Sequence, residues 1–222
     1  MGDDNIIKKD QMPNWRLKAW YPDLSEDVQL KLKKYFLELL RFNKTINLIS
    51  PKTVLNADAI HYADSIESCR SVYELVNKHN VLYDLGSGNG FPGLIYSILY
   101  PEQKIALLDS DERKCEFLKH IVNQLELKNT NVENTKIESF PPDSIDQAIC
   151  RGFSPLPKSL LMLRKIVKKG GVVFNIKSEE WAIEVSQIPI QICSIWQPGL
   201  ISNYVLPLTG VKMVVVKTDK ID

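Results

Sequence analysis

Cysteine is scarce in this chain, and what there is lies scattered. Cys69, Cys115, Cys150 and Cys193 are the only four in 222 residues, and no two of them form a C-x-x-C pair. Neither a disulfide framework nor a cysteine metal site is expected from that spacing, and no metal is assigned. No run of about 18 apolar residues occurs, so no membrane-spanning helix is expected. Neither sign of charge prevails. The 28 Lys and Arg against 27 Asp and Glu leave +1, which excludes a global basic field. A nucleic-acid partner would have to be met by a local patch. Met1 to Asp10 is polar and lacks the apolar centre of a signal peptide. A cytoplasmic protein is the expectation.

What is present suffices for one well-packed unit with a small appendage, since 44% of the residues are hydrophobic. The division expected is an N-terminal arm and helical extension over 1–75, followed by the main domain over 76–222. Residues 1–22 read as a loose arm that docks by Trp15, Trp20 and Tyr21. Ser25 can cap a helix to about Asn43, with Val28, Leu32, Tyr35, Phe36, Leu39 and Leu40 on one face. Its lysines read as a solvated face. A second helix, with a break, is expected from Pro51 to Val72.

From Val81 onward the pattern alternates. Strands are expected near 81–85, 104–109, 131–136, 145–150, 171–177, 190–196 and 211–217, and helices near 92–100, 111–126, 155–169 and 178–186. This is an α/β pattern, a mostly parallel seven-stranded sheet covered on both faces. The last two strands have no helix between them and suit an antiparallel closing hairpin.

The run Val81-Leu82-Tyr83-Asp84-Leu85-Gly86-Ser87-Gly88-Asn89-Gly90-Phe91-Pro92-Gly93 reads as a buried strand, a glycine-rich turn and a helix start. Such a turn presents bare backbone amides to a nucleoside-bearing cofactor where a helix directs its positive end. The next strand ends in Asp109-Ser110, where a nucleotide fold places its ribose-hydroxyl acceptor. The glycines fit two cofactors. Gly88, Gly90 and Gly93 have dinucleotide spacing, whereas Gly86, Gly88 and Gly90 fit the tighter turn of S-adenosylmethionine enzymes. Asp84 favours the second, because a carboxylate there repels a pyrophosphate and suits the cationic groups of S-adenosylmethionine.

The fourth strand ends in Cys150-Arg151-Gly152-Phe153, at the same crevice. No Asn/Asp-Pro-Pro-aromatic run of the amino-directed methyltransferases is present. Cys150 has no evident activating base and reads as a small buried hydrophobe. Arg151, Lys177 and Lys212 are read as a cationic crevice that holds phosphates or a carboxylate and positions the reactants. His61, Asp64 and Ser65 lie too close along one helix to form a nucleophile, base and orienter, so His61 is read as hydrogen-bonded or touching substrate.

Taken in order, Asn43-Lys44-Thr45-Ile46-Asn47-Leu48, His61 through Ser65, Asp84 through Gly93 and Leu107-Leu108-Asp109-Ser110 form a specific combination. So do Phe117-Leu118, Ile137-Glu138-Ser139-Phe140 and Cys150 through Phe153. Over about residues 25–218 the chain resembles the bacterial small-subunit ribosomal RNA guanine-N7 methyltransferases (RsmG, also called glucose-inhibited division protein B). The resemblance implies a Rossmann-like class I S-adenosylmethionine-dependent methyltransferase fold, S-adenosylmethionine as cofactor, and ribosomal RNA or the small ribosomal subunit as partner; a monomer is the separate expectation. The cofactor residues it implies are Gly86, Phe91, Asp109, Ile137, Glu138 and Arg151; with Asp84, Ser87, Gly88, Gly90 and Ser110 of the turn and strand end they make up the expected cofactor set. Substrate contacts would come from Asn43, Lys44, His61, Lys177 and Lys212. Ile60, Gly152 and the arginine-free stretch Thr209 to Met213 depart from the family pattern, and the loop between Phe140 and Arg151 is a residue shorter than in some relatives. Methylation of N7 needs no prior proton removal and rests on positioning. A small-molecule methyltransferase, or a non-catalytic interaction protein on the same fold, are the alternatives.

Overall fold

The computed structural model describes residues 12–222. The reading of Met1 to Asp10 therefore lies outside the described residues. Up to Tyr73 the only regular elements among the described residues are helices: α1 (Leu17–Trp20), α2 (Glu26–Phe42), α3 (Pro51–Val54), a π-helical turn (Asp58–Ala63) and α4 (Asp64–Tyr73). The Ser25 side chain accepts from the Val28 amide and starts α2. The i, i+3, i+4, i+7 set Leu32, Tyr35, Phe36 and Leu39 is buried. The arm docks by its aromatics as expected. Trp15 packs on Phe36 at 4.7 Å and on Tyr62 at 5.2 Å, and Tyr21 is buried.

The break expected in the second helix is the π-helical turn. Its extra residue per turn shifts the helix face, so His61 and Asp64 both reach the end of the sheet. Asp58 in this turn has no exposure and is held by Arg16, whose guanidinium meets its Oδ1 at 2.6 Å and whose Nε and amide donate to Oδ2.

The main domain runs β1 (Leu82–Leu85), α5 (Gly93–Leu99), β2 (Ile105–Asp109), α6 (Glu112–Gln124), β3 (Thr130–Asn134), β4 (Ile145–Arg151), α7 (Leu156–Leu163), β5 (Val167–Ser178), α8 (Trp181–Ser186), α9 (Ile190–Cys193), β6 (Trp196–Val205) and β7 (Lys212–Lys220). The sheet order is β3-β2-β1-β4-β5-β7-β6. Strands β1 to β5 pair in parallel, and β7 and β6 close the sheet antiparallel. The order reverses between β1 and β4, which opens a crevice at their carboxyl ends.

Burial follows the pleat. Leu107 and Ile149 face one side and pack with the N-terminal helices, α5 and α6; their neighbours Leu108, Ala148 and Cys150 face the other and pack with α7 and α9. The extension and the sheet thus share a core in which Tyr35, Tyr62, Phe91 and Phe117 meet.

Three boundaries correct the sequence reading. Residues 190–193 are helical, not a strand. Ile188 and Ile192 are buried while Ile190 is 80% exposed, so the apolar pattern that reads as alternation has period four. The sixth strand begins at Trp196 and contains Pro198-Gly199, which the sequence places between strands. Pro is tolerated because β6 is the sheet edge and pairs only with β7. The helix expected over 155–169 ends at Leu163, and β5 begins at Val167, with Gly170 at φ +78° inside it.

Replacing Arg16 with alanine leaves the Asp58 carboxylate buried and without its partner. The expected loss is about 3 kcal/mol in urea unfolding, with Arg16→Lys recovering part of it.

Candidate active site at the carboxyl ends of β1, β2, β4 and β5

The glycine turn is built by close contacts. Gly86 has φ +69°, and a Cβ there would meet the Phe153 ring at 2.9 Å. Gly90, at φ +96°, sits against Leu94 and the Tyr35 hydroxyl, with no room for a side chain. The hydroxyl of Tyr35 donates to the Asn89 carbonyl, and Asn89 Nδ2 donates to the Leu48 carbonyl at 2.9 Å. The Gly88 amide donates to Asp109 Oδ2 at 2.7 Å, and Asp109 Oδ1 accepts from the Asp111 amide at 2.9 Å. The turn is thus locked to the acid that ends β2.

Beside it lies an open cavity of about 460 Å³. Gly86, Asp109, Ser110, Ile137 and Glu138 line it, five residues of the sequence-derived cofactor set brought together from three loops. Leu108, Phe153 and Met162 supply an apolar wall, and Thr135 and Lys136 a polar rim. Sequence reasoning missed Thr135, Lys136 and Met162. Met162 follows only from the helical phase of α7, and Thr135-Lys136 from the loop after β3, the same sheet end as Asp109.

Asp84, Ser87, Gly88, Gly90 and Phe91 do not line this cavity; they form the turn behind it. Asp84 is 1% exposed. Its Oδ2 accepts from the Gly93 amide at 3.1 Å, at the start of α5, while its Oδ1 has no partner among the described residues. Burial, against that hydrogen bond and the positive charge of Arg151, pushes its pKa up to about 7. Phe91 is buried between Tyr35, Tyr62 and His61.

A second cavity, about 480 Å³, opens on the other side of the Arg151–Phe153 segment. Arg151 and Gly152 face it, with His61, Asp64, Lys177 and Glu184. Arg151 Nη1 meets Asp64 Oδ2 at 2.8 Å, and Nη2 lies 3.2 Å from His61 Nδ1. Asp64 Oδ1 accepts from the Tyr204 hydroxyl at 2.7 Å. A guanidinium has only donors, so His61 Nδ1 accepts and the ring proton sits on Nε2, 3.2 Å from Thr53 Oγ1. Burial, with the charge of Arg151, lowers the His61 pKa to about 3. His61 is therefore a neutral, hydrogen-bonded histidine on the wall of this cavity, as its spacing from Asp64 and Ser65 suggests.

The cationic crevice read from the sequence requires correction. Each of its cations has a carboxylate partner: Arg151 has Asp64, Lys177 has Glu184 at 2.8 Å, and Lys212 has Glu179 at 3.4 Å. The site is polar and charge-balanced, not an open cluster of positive charge. Cys150 is core, as expected: it is buried, its Sγ lies 3.2 Å from Asn175 Oδ1, and burial pushes its pKa up to about 12. Asn43 sits outside both cavities. Its Oδ1 accepts from the Leu48 and Ile49 amides, both at 2.9 Å, and shapes the loop that holds Asn89. Lys44 is exposed on that loop.

With this geometry in hand, comparison with known proteins is informative. The family described as GidB, rRNA small subunit methyltransferase G, matches residues 28–195. The chain belongs to that family. A Bdellovibrio bacteriovorus protein named ribosomal RNA small subunit methyltransferase G 3 is 51% identical over 98% of this chain and 99% of its own length. The Paracoccus denitrificans ribosomal RNA small subunit methyltransferase G is 32% identical over 71% of this chain and 80% of its own. A solved SAM-dependent methyltransferase from Aquifex aeolicus superposes with a TM-score of 0.54 at 17% identity, covering 76% of this chain and 98% of that one. TYW2 of P. horikoshii, solved in complex with MeSAdo, gives 0.54 at 14% identity, covering 79% and 64%. At such identities these two establish the fold, which is that of the class I S-adenosylmethionine-dependent methyltransferases. Among the described residues of this family member no helix is long and apolar enough to cross a membrane.

The raised Asp84 pKa has a consequence for stability. A carboxyl whose pKa rises from 3.8 unfolded to about 7 folded contributes most below the lower value, and that contribution is lost as pH rises through the upper one. Asp84→Asn cannot ionise. Its melting temperature relative to wild type is expected to rise between about pH 5 and about pH 8, where the wild type pays for a buried charge. A constant difference across that range assigns the pH dependence elsewhere.

Proposed function

We propose that this chain transfers a methyl group from S-adenosylmethionine to N7 of a guanine in small-subunit ribosomal RNA, acting as a monomer in the cytoplasm. The observation that carries the reading is the pair of cavities flanking Arg151–Phe153, one fit for a nucleoside and the other for a flat base, with His61 and Lys177 both engaged in hydrogen bonds at the second.

The first cavity fits the cofactor by its chemistry. The Asp109 carboxylate suits two ribose hydroxyls, Ile137, Leu108 and Met162 suit the faces of an adenine, and Glu138 and Ser110 supply polar contacts at its rim. The carboxylates of Asp109 and Glu138, with Lys136 as the one cation on the wall, disfavour a dinucleotide pyrophosphate. Gly86 lets the chain pass close to the ligand, while Gly88, Gly90, Ser87, Asp84 and Phe91 fix the shape of the turn behind it. When bound, S-adenosylmethionine supplies an electrophilic methyl group on a sulfonium.

The residues of the second cavity position an acceptor. Guanine N7 carries an exposed lone pair, so the chain need not remove a proton first. The side chains agree with that demand. Both His61 nitrogens are engaged, Cys150 is a buried thiol, and Lys177 donates to Glu184 and to the Ser154 carbonyl. What Arg151 and Lys177 contribute is fixed charge and orientation, and orientation alone can supply roughly 7–11 kcal/mol. A base in this cavity has left its stack, which costs least in a loop or single strand. Lys44 and Lys212 are exposed and suit phosphate contacts at the rim.

The deciding experiment is methyl transfer from labelled S-adenosylmethionine to small ribosomal subunits from cells lacking the endogenous enzyme, followed by nucleoside analysis. N7-methylguanosine is expected. Transfer to another position, or none with cofactor binding intact, overturns the reading. Asp109→Ala is expected to weaken cofactor binding by roughly 10–100-fold in calorimetry; because Asp109 also accepts from the Gly88 and Asp111 amides, its melting temperature is expected to fall, and binding is measured well below it.

A further inference from the structure

Glu184 is the one carboxylate of the second cavity with an oxygen to spare. It lies on α8, and its side chain is 28% exposed. Its Oε2 does structural duty: it accepts from the Leu156 amide at the start of α7 and from Lys177 Nζ at 2.8 Å. Its Oε1 has no hydrogen-bond partner among the described residues, although the side chain borders the cavity. Asp64, the other carboxylate there, has both oxygens taken, by Arg151 and Tyr204. The cavity around Glu184 has the composition of a base slot. Ile60, Pro155, Ile176 and Met213 give it apolar walls, and its polar groups sit at the edges.

We infer that Glu184 is the specificity-determining residue that selects guanine in this slot, through its Oε1 and the adjacent N1–H and N2–H donors of the base. This rests on the methyltransferase reading above and extends it from reaction to base choice. The chemistry discriminates among the four bases. On its Watson–Crick edge, only guanine offers two neighbouring N–H donors. Adenine and cytosine each place an unprotonated ring nitrogen next to a single amine, which a carboxylate repels. Uracil offers one N–H between two carbonyls. A carboxylate oxygen with its lone pairs free therefore accepts from guanine and rejects the rest, and a slot built to receive donors strongly penalises a base that lacks them. Reading that edge also leaves the opposite edge of the base, which carries N7, free to face the methyl donor. Lys177 and the Leu156 amide hold the carboxylate in place, so little side-chain freedom is lost when a base enters.

The test uses two small-subunit substrates and the full chain. Once nucleoside analysis and primer extension have located the methylated guanine, small-subunit RNA is ligated from fragments to carry either guanosine or inosine at that one position, and is assembled into subunits. Inosine keeps N7, O6 and N1–H and lacks only the 2-amino group. The wild-type protein is expected to transfer methyl to the inosine subunit at least 10-fold less efficiently, in kcat/KM, than to the guanosine subunit. Glu184→Gln keeps an oxygen for the Leu156 amide and Lys177 but replaces the free acceptor with an NH2 donor. It is expected to lose 10–100-fold on guanosine and far less on inosine, so that the two substrates come within about 3-fold of each other. Guanosine transfer by the wild type with equal inosine transfer overturns this inference alone, and that comparison needs no variant. A Glu184→Gln protein that loses both activities in equal proportion also overturns it, since a purely structural carboxylate would act that way. No transfer to the guanosine subunit overturns the parent reading, and this one with it.

Discussion

The ion pair between Asp64 and Arg151 is where the helical layer and the sheet become one site. Arg151 ends β4 at the topological switch point, and Asp64 opens α4 just after the π-helical turn. Both side chains are largely withdrawn from water, with 15% and 3% exposure. A pair in that setting offsets its desolvation only if the remaining donors and acceptors are satisfied. They are: Tyr204 completes Asp64, and His61 and the Ile60 carbonyl complete Arg151. The guanidinium also lies 5.2 Å from the Phe91 ring, so the same residue touches the end of the glycine turn. Asp64 and Arg151 both line the second cavity, so this node fixes one of its walls.

The turn itself depends on a second set of couplings that reach from the sheet to the N-terminal helices. Asn43 fixes the 43–49 loop, the loop carbonyl of Leu48 fixes Asn89, and Tyr35 on α2 closes over the Asn89 carbonyl. The extension is thus more than an appendage to a standard fold. It supplies the outer mould for the glycine turn, and Asn43 works there through backbone geometry at a distance from either cavity.

Much of this was legible in the residues. The β1 strand, the turn and Asp109 announce themselves because glycine spacing and a strand-terminal acid are local patterns, and the structure gathers Gly86, Asp109, Ser110, Ile137 and Glu138 on one cavity. Ser25 could be read as a cap for the same reason. The failures come from non-local effects. Arg151 and Lys177 look like free cations in the sequence because Asp64 lies 87 residues from its partner, and Glu184 reaches Lys177 only after the chain turns from strand to helix. The buried orientation of Asp84 follows from Gly93 closing beneath it, a contact that no strand pattern contains. The short α9 was hidden because isoleucines two apart satisfy a strand's alternation until burial shows which of them face inward.

The hydrogen bond from Tyr204 to Asp64 spans 140 residues of sequence, and it sets a timetable for biosynthesis. Chains emerge from the ribosome N-terminus first and fold by units as they appear. The π-helical turn, the glycine turn and Arg151 are all outside before β6 exists, yet the buried carboxylate at their centre waits for its last donor until the final hairpin is paired. A nascent chain therefore carries a nearly complete cavity beside Asp109 and an unfinished one beside Asp64. Competence arrives as a late event of synthesis, after the edge of the sheet has been sewn on, and a chain that stops short of Tyr204 holds the parts of the site without the bond that closes it.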